Sequence, residues 1–147
     1  MSKFSTKSVA ALVAAIVLSL VSAAFAAGKP CVGISASLSS GAVSGQTITV
    51  SPGAPVTLTG IVSNCSTGTE TVNITYDYQA DTQTGTCDQT QTGSYKTKVG
   101  AGDAYTKVLN YTAPSCPGTY VVTLSATATA GSQTSTPVSV TLTVNVQ

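Results

Sequence analysis

Residues 118–128 read Gly-Thr-Tyr-Val-Val-Thr-Leu-Ser-Ala-Thr-Ala. Tyr120, Val122, Leu124, Ala126 and Ala128 fall on one side of a two-residue period. Thr119, Thr123, Ser125 and Thr127 dominate the other. Successive side chains of a strand point to opposite faces, so this pattern specifies a half-buried antiparallel strand with one wet face. The rest of the exported chain is read as further strands packing onto it.

The first 26 residues read differently. Lys3 and Lys7 form a positive leader, Val9 to Leu20 an apolar run, and Ala24-Phe25-Ala26 a small-x-small cleavage pattern. These are the parts of a secretory signal peptide. The expectation is export with a mature domain over residues 27–147. The apolar run is shorter than the ~20 residues of a spanning helix, so no membrane span is expected after cleavage. The location predicted is secreted, either extracellular or periplasmic.

Without the leader, four lysines stand against five carboxylates, a net charge of −1, and Arg, His, Trp, Phe and Met are absent. Near-neutral charge with no basic cluster excludes the electrostatic footprint of a nucleic-acid binder. About 120 residues make one domain with one ordinary core. Thr and Ser occupy the wet faces where Lys and Glu commonly sit.

Cys31, Cys65, Cys87 and Cys116 all lie in the exported part. Four cysteines in such a domain imply two disulfides, and three pairings are open at this point. Zinc is not expected, since no C-x-x-C spacing and no His complete a site. A thiol nucleophile lacks its His partner too.

The alternation marks strands at residues 32–39, 47–50, 56–62, 72–78, 94–99, 104–111, 118–128 and 138–146, with residues 41–46 as a loop and 64–70 as a polar loop. Between Gln79 and Gly93 the pattern disappears, and this segment around Cys87 reads as an edge crossover tied down by its cysteine, with a functional loop as the alternative. Gly100-Ala101-Gly102-Asp103 reads as a hairpin connection. Leu109 and Tyr111 are expected to face inward, after a bulge. Eight short strands without helical periodicity predict an all-β fold, a single antiparallel β-sandwich.

Gly53-x-x-Val56-x-Leu58 followed by Asn64 resembles the second strand of bacterial immunoglobulin-like domains. Tyr111-Thr112-Ala113-Pro114 and Pro117-Gly118-Thr119-Tyr120-Val121-Val122 resemble their penultimate connection and strand. Cell-surface modules of the CARDB and fibronectin-type-III-like kinds carry similar stretches. The resemblance implies an immunoglobulin-like sandwich of about seven to eight strands, with Tyr120 as the tyrosine corner. Its path places Gly60 and Val122 where antibody-type domains carry their inter-sheet cysteines. It also implies the pairs Cys31–Cys65 and Cys87–Cys116, one at each pole.

Chemistry is sparse. Without His there is no imidazole base and no Ser-His-Asp triad. Asp77, Asp81 and Asp88 lack any dense ligand spacing and read as solvated charges. No enzyme activity and no cofactor are expected. Among the tyrosines, Tyr76, Tyr78, Tyr111 and Tyr120 fit inward slots and are expected in the core. Tyr95 and Tyr105, either side of the presumed hairpin, are the candidate contact residues. The function expected is an exported protein-interaction or adhesion module at the cell surface. Self-assembly by exchange of terminal strands and carbohydrate binding are the alternatives.

Overall fold

In the computed structural model the described residues are 28–87 and 90–147. The signal peptide and Asp88 therefore lie outside the described residues. The elements are β1 (Val32–Ser40), β2 (Val43–Gly45), β3 (Thr47–Val50), β4 (Pro55–Asn64), β5 (Glu70–Gln83), β6 (Gln91–Val99), β7 (Ala104–Thr112), β8 (Gly118–Ala130), β9 (Gln133–Thr134) and β10 (Val138–Val146). All described regular structure is strand. One sheet has the order β2-β1-β4-β7 and the other β3-β10-β8-β5-β6, with β9 pairing only with β8. All pairings are antiparallel except β3 with β10.

This is the expected sandwich, extended by two short strands. Residues 41–46 are not all loop. Val43–Gly45 folds back on β1 before the chain passes to the other sheet as β3. The segment from Gln79 to Gly93 also corrects the sequence reading. Strand β5 runs on to Gln83 against β8, through a register shift between Ala80 and Thr82. An extra residue in one strand reverses the facing of everything after it, so the alternation stops while the ladder continues. The connection shrinks to residues 84–90. No bulge interrupts β7, whose register with β4 is unbroken from Ala104 to Thr112.

The predicted hairpin between β6 and β7 is absent. Strand β6 pairs with β5, β7 pairs with β4, and residues 100–103 carry the chain from one sheet to the other. A Gly/Asp turn serves either connection equally well, which is why its composition misled. The two strands are left as the edges of opposite sheets on one flank of the sandwich.

The inward faces of both sheets meet in two apolar groups. The larger holds Leu38, Ile48, Leu58, Tyr120, Val122, Leu124, Leu142 and Val144; the smaller holds Val32, Val62, Val72, Val99, Ala126 and Ala128. Gly60 lies between Leu58 and Val62 on the same face of β4. Its missing side chain leaves ordinary contact distance, 3.7 Å, to the Leu124 Cδ1 methyl from an added Cβ. Val122 is buried across the sandwich. No disulfide joins these two positions.

The bridges are Cys31–Cys65 and Cys87–Cys116, with Cα–Cα separations of 5.0 and 5.7 Å. The first joins the start of β1 to the end of β4. The second ties the 84–90 connection to the segment before β8, at the other pole. Bridges closing loops of this size contribute about 3–4 kcal/mol each by restricting the unfolded chain.

The first pole is better built than the polar loop expected for residues 64–70. Asn64 is buried; its amide donates to the carbonyls of Gly68 (2.7 Å) and Val99 (3.0 Å), and its Oδ1 accepts from the Ser66 N–H (2.8 Å). Glu70 is buried as well, and its Oε1 accepts from the Cys31 N–H at 2.9 Å. These bonds fix the loop around the first bridge, while the second Glu70 oxygen, Oε2, is buried without a hydrogen-bond partner among the described residues.

Candidate functional site: a tyrosine-walled cleft between the sheets

The site lies where the inward pleats of the two edge strands, β6 and β7, face each other across the flank. On β7 these are Tyr105, Lys107, Leu109 and Tyr111, paired with Val62, Gly60, Leu58 and Val56 of β4. On β6 they are Gln91, Gly93, Tyr95 and Thr97, paired with Tyr78, Tyr76, Ile74 and Val72 of β5. Because β6 and β7 do not pair with each other, the side chains alone decide whether the flank closes.

Toward the first pole it closes. The Tyr95 and Tyr105 rings stack with centroids 5.6 Å apart and planes 20° from parallel, and the Lys107 ammonium lies 5.2 Å from the Tyr95 centroid. A hydrogen bond with Tyr95 is the main cause holding the Tyr105 phenol above its usual range, followed by desolvation. The two residues expected as contact groups thus meet, joining opposite sheets. Tyr95 remains 43% exposed. A cation over a tyrosine face at such an exposed place contributes about 0.5–1 kcal/mol.

Toward the second pole the flank opens into a cleft of about 470 Å³. Leu58, Val122 and Leu124, all buried, form its base. Tyr76, Tyr78, Leu109 and Tyr111 form its walls. Gln91 lies at its mouth, and Asn110 and Thr112 border it along β7. Every residue lining it is uncharged.

Tyr78 is held between two other rings. It stacks on Tyr120 with centroids 6.0 Å apart and planes 3° from parallel, and meets Tyr111 edge-on at 6.3 Å. Tyr120 is fully buried, and its hydroxyl donates to the Cys116 carbonyl at 2.8 Å, linking the base of this stack to the second bridge. Burial, with Tyr111 and Tyr120 adding smaller effects, pushes the Tyr78 phenol far above its ordinary range; burial pushes Tyr111 up to about 12. Both phenols therefore stay protonated at any physiological pH. The Tyr111 hydroxyl is buried and finds no hydrogen-bond partner among the described residues.

Two glycines set the geometry. Tyr76 lies opposite Gly93 in register, and a Cβ on Gly93 would run into the Tyr76 ring. The missing side chain lets that ring lie across the edge strand, an aromatic covering a glycine. At the start of β8, a Cβ on Gly118 would collide with the backbone of Thr82 and Gln83. Glycine there allows the extended part of β5 to approach beside the cleft.

The core assignment of the tyrosines is corrected accordingly. Tyr120 is in the core, whereas Tyr76, Tyr78 and Tyr111 are half-buried on the cleft walls. Their pleat is inward, but the opposing sheet does not cover them. Gln91, Gly93 and Leu109 escaped the sequence reading as site residues. The signal available was a Gly among inward positions of a strand otherwise rich in bulk. Among the described residues, no acid lines the cleft. Asp77 lies on the outer face and accepts from the Gln79 amide at 2.6 Å. Among the described residues there is no group of three or more His, Cys, Asp or Glu placed to hold a metal ion. Among the same residues no helix is long and apolar enough to cross a membrane.

No known protein family and no curated protein matches the chain by sequence. Solved structures do match by shape. One is the C-terminal domain of wzt, 13% identical over 82% of this chain and 75% of that one, with a TM-score of 0.50. A β-glucosidase from Erythrobacter marinus matches at 10% identity and TM-score 0.50, over 78% of this chain but only 15% of its own. A PapD-like domain of human CEP192 matches at 10% identity over 79% of this chain and 84% of that one, with TM-score 0.46. At these identities the likeness concerns fold. The chain is an immunoglobulin-like β-sandwich, a coarser statement than either family kind suggested by its sequence.

Proposed function

We propose that this chain is an exported, non-catalytic immunoglobulin-like module for interaction or adhesion at the cell surface, and that it engages its target through the tyrosine-walled cleft. The observation that carries the reading is the cleft itself. A sandwich with filled cores and a covalent bridge at each pole leaves one flank open over three tyrosines and Leu109. Concave, mostly apolar sites with a few polar groups are where proteins take ligands. Tyr presents a large rigid face and a polar tip at low entropic cost, which suits a contact surface. The absence of an imidazole from the sequence, and Asp77 lying on the outer face away from the cleft, support binding rather than turnover.

Two features count against assembly by strand exchange. The first bridge and eight register pairs hold β1 on β4. The edges on the open flank carry lysines, Lys107 on the inward pleat of β7 and Lys96 and Lys98 on β6, a placement that discourages edge-to-edge pairing.

Co-sedimentation with cell-envelope fractions tests the reading. The wild-type protein is expected to be retained, and Leu109→Arg, which puts a charge at the cleft wall, to lose retention while its far-UV spectrum is unchanged. Equal retention of the two proteins, or none of either, overturns it.

A further inference from the structure

Resting on the binding role proposed above, we infer that the ligand held in the cleft is a neutral sugar unit, one or two pyranose rings. The argument runs through what the lining can satisfy. No lining residue carries a charge, so a phosphate, carboxylate or ammonium entering the cleft would be desolvated with no counter-charge, which is strongly unfavourable. A purely apolar ligand meets the opposite difficulty. It would cover the Gln91 amide and the Tyr78 phenol without offering either a partner. Each polar group left buried and unpaired costs about 1–3 kcal/mol.

A pyranose answers both constraints. Its C–H faces lie on tyrosine rings, and its hydroxyls both donate and accept. The walls are matched to that role. Tyr78 remains protonated, so it offers an O–H donor as well as acceptor lone pairs, while Tyr111, its hydroxyl buried, contributes the face of its ring. Gln91 adds an amide donor and a carbonyl acceptor from the inward pleat of β6, across the mouth from β7. The cleft volume, about 470 Å³, lies within the range of small-ligand sites and suits one or two rings rather than a long chain. Longer glycans would leave past Gln91 or along the Asn110–Thr112 border. A peptide added as a further strand along either edge is opposed by Lys107 and, nearer the first pole, by Lys96 and Lys98.

The test is saturation-transfer NMR on the protein expressed from its full sequence with both bridges intact. The probes are the methyl glycosides and disaccharides of glucose, galactose, mannose and N-acetylglucosamine. A glucuronic acid disaccharide serves as the anionic arm, and the neutral dye N-phenyl-1-naphthylamine as the apolar arm. At least one neutral sugar is expected to receive saturation, with a dissociation constant on the order of 1 mM for so small a ligand. Tyr78→Phe and Gln91→Ala are each expected to weaken that binding by about five- to tenfold, with far-UV spectra like that of the wild type. Thr92→Ala, on the outer face of β6, is expected to change nothing. No transfer to any neutral sugar at about ten times that concentration overturns the inference. So does equal binding by the wild type and both cleft variants, preferential binding of the dye or the anionic sugar, or cross-linking of a protein at the cleft. Envelope retention lost in Leu109→Arg without any sugar response removes the sugar while leaving the binding module standing.

Discussion

Tyr120 and Tyr78 share a stack but perform different tasks. Tyr120 spends its hydroxyl on the Cys116 carbonyl, fixing the segment that enters β8. Tyr120→Phe removes that bond without changing volume and is expected to lower stability by about 1–2 kcal/mol. Urea unfolding checks it, with a lower midpoint at an unchanged slope. Tyr111, pushed up to about 12 by burial, gives a pH prediction. Folding favours the protonated phenol, so the stability from this shift is fully present below about pH 10, the value expected when unfolded. It is lost as pH rises toward about 12, because the unfolded chain releases this proton first. Absorbance titration of the phenolates is expected to show Tyr111 ionising well after the exposed tyrosines, and unfolding midpoints to fall over the same interval. Alternation places Tyr76, Tyr78 and Tyr111 on inward pleats, which is where core residues also lie. Alternation reports which pleat a residue occupies, not whether the opposite sheet extends far enough to cover it.

Strands β6 and β7 show the same limit for whole elements. Both were legible as strands, since their pattern and length depend on neighbouring residues only. Their relation was not, because a Gly/Asp turn does not distinguish a hairpin from a passage between sheets. The extension of β5 was hidden by its register shift at Ala80, which inverts facing without ending the ladder. The edge of this sheet is sensitive to Gly93. Gly93→Val is expected to displace the Tyr76 ring, and with it one wall of the cleft. Amide exchange read by NMR should show faster exchange confined to β6 and the facing half of β5, with β1–β4 protection unchanged. Slow exchange throughout β6 would mean that Tyr76 finds another resting place at no loss.

For the molecule as a whole, fold class and both disulfides were readable beforehand. Strong alternation in eight segments leaves few ways to bury one face, and the resemblance to immunoglobulin-like domains supplied the path that pairs the cysteines. Cleft and sealed flank were not readable, since they arise where the two sheets diverge. Two predictions belong here. With its bridges oxidised, the protein is expected to elute as a single monomer peak at high concentration, because β1 is held covalently and the open flank is edged with lysines. Cys31→Ser/Cys65→Ser is expected to lose about 3–4 kcal/mol of stability and to form dimers as concentration rises, as β1 becomes free to exchange. Light scattering on both proteins decides the matter, and dimers of the oxidised wild type would contradict the first expectation.

The two bridges also determine how this domain carries force. Tension applied between Gly28 and Gln147 enters at Cys31 and passes directly to Cys65; later it crosses from Cys87 to Cys116. Strands β1 to β4 lie within the first covalent loop and β6 and β7 within the second, so none of them lies on the covalent path between the termini while the bridges hold. The load falls on β5, β8 and β10, which are adjacent in one sheet and share its longest ladders. Pulled in this way, the domain yields only a fraction of its contour length. Strand β7 and its partner β4, which form one side of the cleft, are not extended along that path, so that side of the cleft keeps its contour while the bridges hold.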